Sequence, residues 1–229
     1  QAHARPQAIV VMSPHWMTRQ PTVMSTPAPQ TWHDFGGFPP ELYTLQYPAP
    51  GQPELAREVL ALLQGAGIAA AEDSRRPFDH GTWVPLMHLY PEADIPVLQL
   101  ALPAQAGPAE VYELGRALRP LAARGVLLMG TGSMTHNLGE FFGGRTEPAP
   151  YVLEFSRWVE EQVTRGDIAA LLDYRAQAPH AERAHPSEDH FLPLFFTLGA
   201  AADGARPDYI SREVRYGMLA MDAFALEAA

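Results

Sequence analysis

Two stretches of this chain repeat one arrangement. "AIVVMSPHW" (8–16) and "VLLMGTGSMTHNL" (126–138) each run an apolar segment into a turn of small residues or proline and then present a histidine, His15 in the first and His136 in the second. An apolar run of this length without alternation reads as a strand covered on both faces. "IPVLQLAL" is a third such run and "IAAAED" a shorter candidate. Between them lie helical patterns. "QPELAREVLALLQGAG" puts Leu55, Val59, Leu62 and Leu63 on one face, with Pro53 in its first turn and Gly65 or Gly67 at its end. "TWVPLMHLYP" closes at Pro91, "PAEVYELGRALRPLAARG" at Gly125, and "YVLEFSRWVEEQVTRG" aligns Val152, Phe155, Val159 and Val163. "SEDHFLPLFFTLGAA" predicts a helix from a Ser187 cap. "GMLAMDAFAL" fits a closing strand or a helix.

Buried strands separated by helices imply an α/β fold, with a mostly parallel central sheet and helices on both faces. No Gly/Ser linker, internal repeat or low-complexity block divides residues 1–229, so one domain is expected. In such sheets ligands bind beyond the carboxyl ends of the strands, which is where His15 and His136 fall.

Composition removes several chemistries. A formal net charge of -10 with no basic run disfavours a nucleic-acid partner. No apolar run approaches the roughly 18–20 residues that span a bilayer. There is no cysteine, hence no disulfide or thiolate site, and all 16 basic residues are arginine, which excludes a lysine Schiff base. The chain opens at Gln1 without a signal-like leader, so the cytoplasm is the expected compartment. The sequence assigns no oligomeric state.

Nine histidines remain to be weighed. Two at equivalent strand ends fit either packed core residues or a shared site. His190 reads as lying near the first turn of a helix, whose dipole favours the neutral, metal-binding ring. His80 stands between Asp79, a carboxylate able to orient it, and Gly81, which leaves room for a substrate. His33 belongs to the loop "WHDFGGFPPELYTLQYPAPG", a pocket wall or lid. His88 reads as structural and His185 as shaping the loop before Pro186, while His3 and His180 carry no assigned role. No dinucleotide fingerprint, P-loop, Gly-x-Ser-x-Gly elbow or His-Glu-x-x-His helix is present, and neither Ser13 nor Ser133 supports a serine triad.

"SPHW", "HDFGGFPPELYTLQYPAPG", "FDHGTWVPLMHLYPEADIPVLQL", "GTGSMTHNL" and "PSEDHFLPLFFTLGA", in this order, resemble the class III extradiol ring-cleavage dioxygenases, in particular the bacterial group similar to 4,5-DOPA extradiol dioxygenase. The resemblance covers nearly the whole chain. It implies a mononuclear non-haem centre that works with Fe(II) and also takes Zn(II), and a small aromatic diol and O2 as reactants. It makes His15 and His190 metal ligands. It makes His136 the acid/base, within reach of the metal, and His80 a second catalytic residue beside the substrate. His33 and Asp34 border the pocket, and Trp16, Phe35, Phe38 and Trp83 supply its aromatic wall. The resemblance also implies a further metal-binding histidine in a His-Gly-Ser-Pro segment, on a strand expected upstream of Gln1. A zinc-dependent hydrolase on the same histidines, or a non-catalytic binding protein of this fold, are the alternatives to ring cleavage.

Overall fold

The computed structural model describes residues 5–144 and 146–227. His3 lies outside them. The strand Ala8–Met12 is buried along its whole length. It pairs in parallel on both edges, with Val97–Gln99 on one side and Val126–Gly130 on the other. Every side chain of "AIVVM" therefore meets protein, which is why the run has no polar alternation. The register sets Val11 beside Gln99 and Met12 beside Gly130, so the three strands end together. Two parallel pairs extend this layer: Thr22–Met24 with Ala71–Asp73, and Met17–Thr18 with Leu102–Pro103. An isolated bridge from Val23 to Leu100 ties the first pair to the central strands.

Helices flank the sheet, and each obeys its sequence signals. Pro53–Gly65 and Pro108–Ala122 both begin on proline, whose missing N–H costs nothing in a first turn. Pro150–Arg165 ends on Gly166 at φ 69°, the left-handed cap that glycine adopts without strain. "GMLAMDAFAL" resolves in favour of a strand: Ala223–Glu227 pairs antiparallel with Arg206–Ser211, whose exposure alternates residue by residue. No helix among the described residues is long and apolar enough to cross a membrane.

One helix starts later than its sequence suggests. The helix expected from Ser187 runs Pro193–Ala200, and Ser187 to Leu192 form turns ahead of it. Proline has no N–H to donate, which costs nothing in a first turn and a hydrogen bond further in, so Pro193 suits the start of a helix better than its interior. His190 is thereby in a turn rather than in a helix.

The helices Pro108–Ala122 and Pro193–Ala200 touch backbone to backbone. A Cβ on Gly115 would overlap the Phe196 carbonyl oxygen, and one on Gly199 would overlap that of Tyr112. This contact seats the helix that carries the His190 turn. Gly115→Ala is expected to cost about 3 kcal/mol, the upper end for overpacking, because the obstructing atom is main chain. Thermal unfolding would register it. Gly65→Ala is the control: a Cβ there meets nothing within 4 Å, and stability should hold or rise.

Candidate metal centre

Four imidazoles gather beyond the carboxyl ends of the strands. The His80 and His15 rings lie 3.9 Å apart between centroids, tilted by 39°. His15 meets His190 edge-on at 5.1 Å and 78°. His190 in turn stacks flat on His136, at 3.5 Å and 6°. Four segments, separated by up to 175 positions in the sequence, thus deliver one histidine each to a continuous chain of rings.

Each ring has its own support. His15 follows Ser13-Pro14 at the end of the central strand. Its N–H donates to Ser13 Oγ at 3.2 Å and its carbonyl accepts from Arg76 Nη2 at 3.3 Å. His80 opens the helix His80–Leu89, which is capped by Asp79 accepting from the Thr82 N–H. The His80 N–H and Nδ1 both meet Asp34 Oδ1, at 2.8 and 3.0 Å. His136 donates its N–H to the Ala184 carbonyl at 2.8 Å. His190 Nδ1 lies 2.5 Å from Asp189 Oδ2, and its carbonyl accepts from the Ser133 N–H at 3.0 Å. The turn before His190 is braced by Glu188, which takes the Tyr174 hydroxyl at 2.7 Å and Arg175 Nε at 3.2 Å. Buried His185 pins the neighbouring loop through Nε2 to the Met134 carbonyl at 2.8 Å, in keeping with its expected loop role.

The small residues of "GTGSM" are close-approach glycines. A Cβ on Gly130 would run into the Pro193 carbonyl oxygen, and one on Gly132 into that of His190. The strand end carrying His136 and the turn carrying His190 are therefore fitted together along their main chains, which brings their rings into the stack.

Three local expectations change. Asp79 does not orient its neighbour His80: as the helix cap its carboxylate turns back toward Thr82 and Ser13, and Asp34, 46 positions away, holds the His80 ring. Gly81 does not make room for a substrate, because a Cβ there would overlap Ser13 Oγ and crowd the His15 ring. His88 is exposed rather than packed, since it falls on the outer face of its helix.

The candidate wall divides into a front and a support. Phe35 stands edge-on to His80 at 5.6 Å and touches Phe38, Tyr43 and Trp83, forming an aromatic group at the rim. His33 lies edge-on to Trp83 at 5.4 Å, with Nε2 3.0 Å from the Leu45 carbonyl oxygen. Trp83 is buried and donates Nε1–H to the Trp32 carbonyl. Trp16 is also buried, with the Arg76 guanidinium 4.8 Å from its ring centre and 5.0 Å from that of Trp32.

Electrostatics suit a cation. Burial, reinforced by the neighbouring rings, lowers His15 from 6.5 to about 4, and the same causes lower His136 to about 4. Both are neutral near pH 7, the form that ligates metal. Burial alone would raise the Asp34 carboxyl, but its bonds from His80 outweigh this and hold it below the ordinary value. The hydrogen bond from His190 likewise holds Asp189 well below the usual carboxylate range. His80 and His190 are thus each tethered at Nδ1 by a carboxylate, leaving Nε2 as the available ring nitrogen. This is the arrangement by which proteins orient metal-binding histidines. His15, Asp34 and His80 offer ligand atoms within 4.8 Å of one another, the one such group among the described residues.

The whole of this site lies within a recognised family. Residues 1–221 match the family described as the catalytic LigB subunit of aromatic ring-opening dioxygenase. The chain is 40% identical over 221 residues to a 4,5-DOPA dioxygenase extradiol of Beta vulgaris, covering 96% of this chain and 82% of that one. It is 37% identical over 225 residues to the protein of the same name from Escherichia coli K12, covering 95% and 81%. A crystal structure of an uncharacterized Escherichia coli K12 protein superposes with a TM-score of 0.81 at 33% identity, over 95% of this chain and 85% of the other. The chain belongs to the LigB family of aromatic ring-opening dioxygenases.

The lowered histidines give the metal-free protein a defined acid response. His15, His136 and His185 each fall from 6.5 to about 4, so between these values the unfolded chain binds more protons than the folded one. Stability is therefore full above pH 6.5 and is lost as pH falls toward 4. Melting temperature measured against pH in the presence of a chelator should decline through this window. A flat profile there would show that the rings are not desolvated.

Proposed function

We propose that the protein cleaves the ring of a DOPA-like catechol, with O2, at a bond beside the two hydroxyl-bearing carbons, on a non-haem metal held in part by His15 and His190. As a member of its family the protein is an extradiol ring-opening dioxygenase and depends on a metal. The substrate class rests on the names of the relatives. The observation that carries the site assignment is the chain of four imidazoles at the strand ends.

The residues present fit a divalent ion. Two imidazoles bound to one ion through nitrogens about 2.1 Å away set their ring centres roughly 4.5–5.5 Å apart. His15 and His190 stand 5.1 Å apart, within that span. His136 and His190 do not fit it: at 3.5 Å and 6° their lone pairs lie in separate parallel planes, which do not meet at one ion. Asp34 Oδ1 takes both donors of His80, which commits this carboxylate to orienting the His80 ring. These contrasts favour His15 and His190 as ligands. They favour His80, Asp34 and His136 as groups that act on the substrate. Fe(II) is the metal we assign, and it supplies the electron transfer by which a closed-shell catechol reacts with O2. Zn(II) would fit the same nitrogens without that chemistry.

The chain's own residues then do the following. His136, neutral and with no hydrogen bond to its ring among the described residues, takes a proton from a catechol hydroxyl and returns it as the ring opens. His80, fixed at Nδ1 by Asp34, presents Nε2 to the substrate. Phe35 faces the diol ring from the rim, with Phe38 and Trp83 completing the apolar wall. Trp16 and His33 shape that wall from behind, the first through Arg76 and Trp32 and the second through the loop carbonyl of Leu45. Both oxygen atoms of O2 end in the product, one in an aldehyde or ketone and one in a carboxylate, so no external reductant is consumed.

Oxygen uptake in the presence of a catechol, followed with an electrode and by absorbance of the ring-opened product, tests the reading. His136→Ala should retain metal and lose about 10²–10⁴-fold in kcat, whereas His15→Ala should lose metal. Turnover that continues without O2 would refute ring cleavage, and a metal-free His136→Ala protein would reverse the roles of His136 and the ligands.

A further inference from the structure

Asp79 is a fully buried carboxylate at the centre of the site's supports, and it does not belong to the ring chain itself. Its Oδ1 accepts from Ser13 Oγ at 2.8 Å and from the Thr82 N–H at 3.2 Å. Its Oδ2 accepts from Gln99 Nε2 at 2.7 Å and from Arg76 Nη2 at 2.9 Å. A carboxylate has about four lone-pair sites, and all four are filled, each by a different segment. Ser13 extends the central strand, Gln99 ends the adjacent strand, Thr82 lies in the first turn of the His80 helix, and Arg76 precedes that helix.

What these partners do next gives the cluster its meaning. Ser13 Oγ, having donated to Asp79, accepts the His15 N–H at 3.2 Å. Arg76 Nη2 reaches both Asp79 and the His15 carbonyl. Both main-chain polar groups of His15 are therefore held by side chains that Asp79 itself holds, while the His15 ring has no hydrogen bond of its own among the described residues. The same anion caps the helix whose first residue is His80. Gly81 closes the assembly, because any side chain there would displace Ser13 Oγ.

We infer that Asp79 is a positioning residue for the metal centre: acting through Ser13 Oγ and Arg76, one buried anion fixes where His15 presents its ring relative to His80. A carboxylate needed only to cap a helix gains nothing from burial, since capping is commonly done at the surface and desolvating the charge is costly. Here the charge is buried because it must reach two strands and a helix at once.

The inference rests on His15 being a ligand, and the experiment separates the two. Zn(II) affinity is measured by competition with a chromophoric chelator in the full-length protein, with the Co(II) absorption spectrum as a second readout of ligand geometry. Melting of the metal-free form is followed in parallel. Ser13→Ala cuts the tie between Asp79 and the His15 N–H but leaves the cap, Arg76 and Gln99 in place. It should weaken Zn(II) binding about 10–100-fold, alter the Co(II) spectrum, and lower the melting temperature only modestly, because Asp79 and the His15 N–H each lose one partner while Asp79 keeps its other three. Thr82→Val is the neighbouring control: Thr82 Oγ1 is buried without a partner, so its loss should leave affinity and spectrum unchanged. Asp79→Asn should show the larger loss of affinity if it folds, and Ser13→Ala decides the matter if it does not. Unchanged affinity in Ser13→Ala overturns the inference, as does a loss of affinity matched by an equal loss in Thr82→Val or by a collapse in melting temperature. If His15→Ala still binds Zn(II) as wild type does, the ligand assignment fails instead.

Discussion

The site depends on the common ending of three parallel strands. Because Ala8–Met12 is paired on both edges and covered on both faces, its carboxyl end is a fixed point. His15 leaves that point directly. Gln99 reaches in from one neighbouring strand, and the Gly130–Gly132 turn leaves the other to carry His136 and to seat the turn of His190. The rings are thus placed by main-chain registers and close glycine contacts, so that few side-chain rotamers are left to choice.

Function requires the four histidines to differ, and their surroundings make them differ. His80 and His190 are each anchored at one nitrogen by an aspartate. Among the described residues the rings of His15 and His136 make no hydrogen bond, and burial first and neighbouring imidazoles second hold them neutral. Holding an ion asks for converging lone pairs, whereas moving a proton asks for a nitrogen that can turn from acceptor to donor. His15 meets His190 edge-on, whereas His136 lies flat on the same ring, so the two contacts present their nitrogens in different ways.

Much of this was legible in the sequence, for physical reasons. Unbroken apolar runs flanked by amphipathic helices specify buried parallel strands, and histidines just past two of those runs fall where such sheets bind ligands. His80 and His190 join them through ordered motifs and the family resemblance. What stayed hidden depends on partners distant in the chain. Asp79 adjoins His80 in sequence, yet Asp34 holds that ring, and no periodic pattern links positions 34 and 80. The hub at Asp79 is local where it caps Thr82 and pairs with Arg76, but its ties to Ser13 and Gln99 cross 66 and 20 positions and leave no local signal. The late start of the helix at Pro193 could have been read, because proline suits a first turn, but the acidic residues after Ser187 imitate a cap one and a half turns earlier.

The loop that carries Phe35 has a further property. It is fastened at its own base: the Tyr47 N–H meets Thr31 Oγ1 at 2.8 Å, Trp32 and Phe78 bond through their main chains, and His33 reaches the Leu45 carbonyl. Apart from Asp34, its tip leans on the site by ring contact alone. A segment anchored at its base, to itself and to Phe78, Trp83 and Tyr90, leaves its tip the least constrained part. Its length and its aromatic tip can vary among descendants of one ancestor while the strand ends and their imidazoles keep their places, so new substrates can be reached without rebuilding the centre that acts on them.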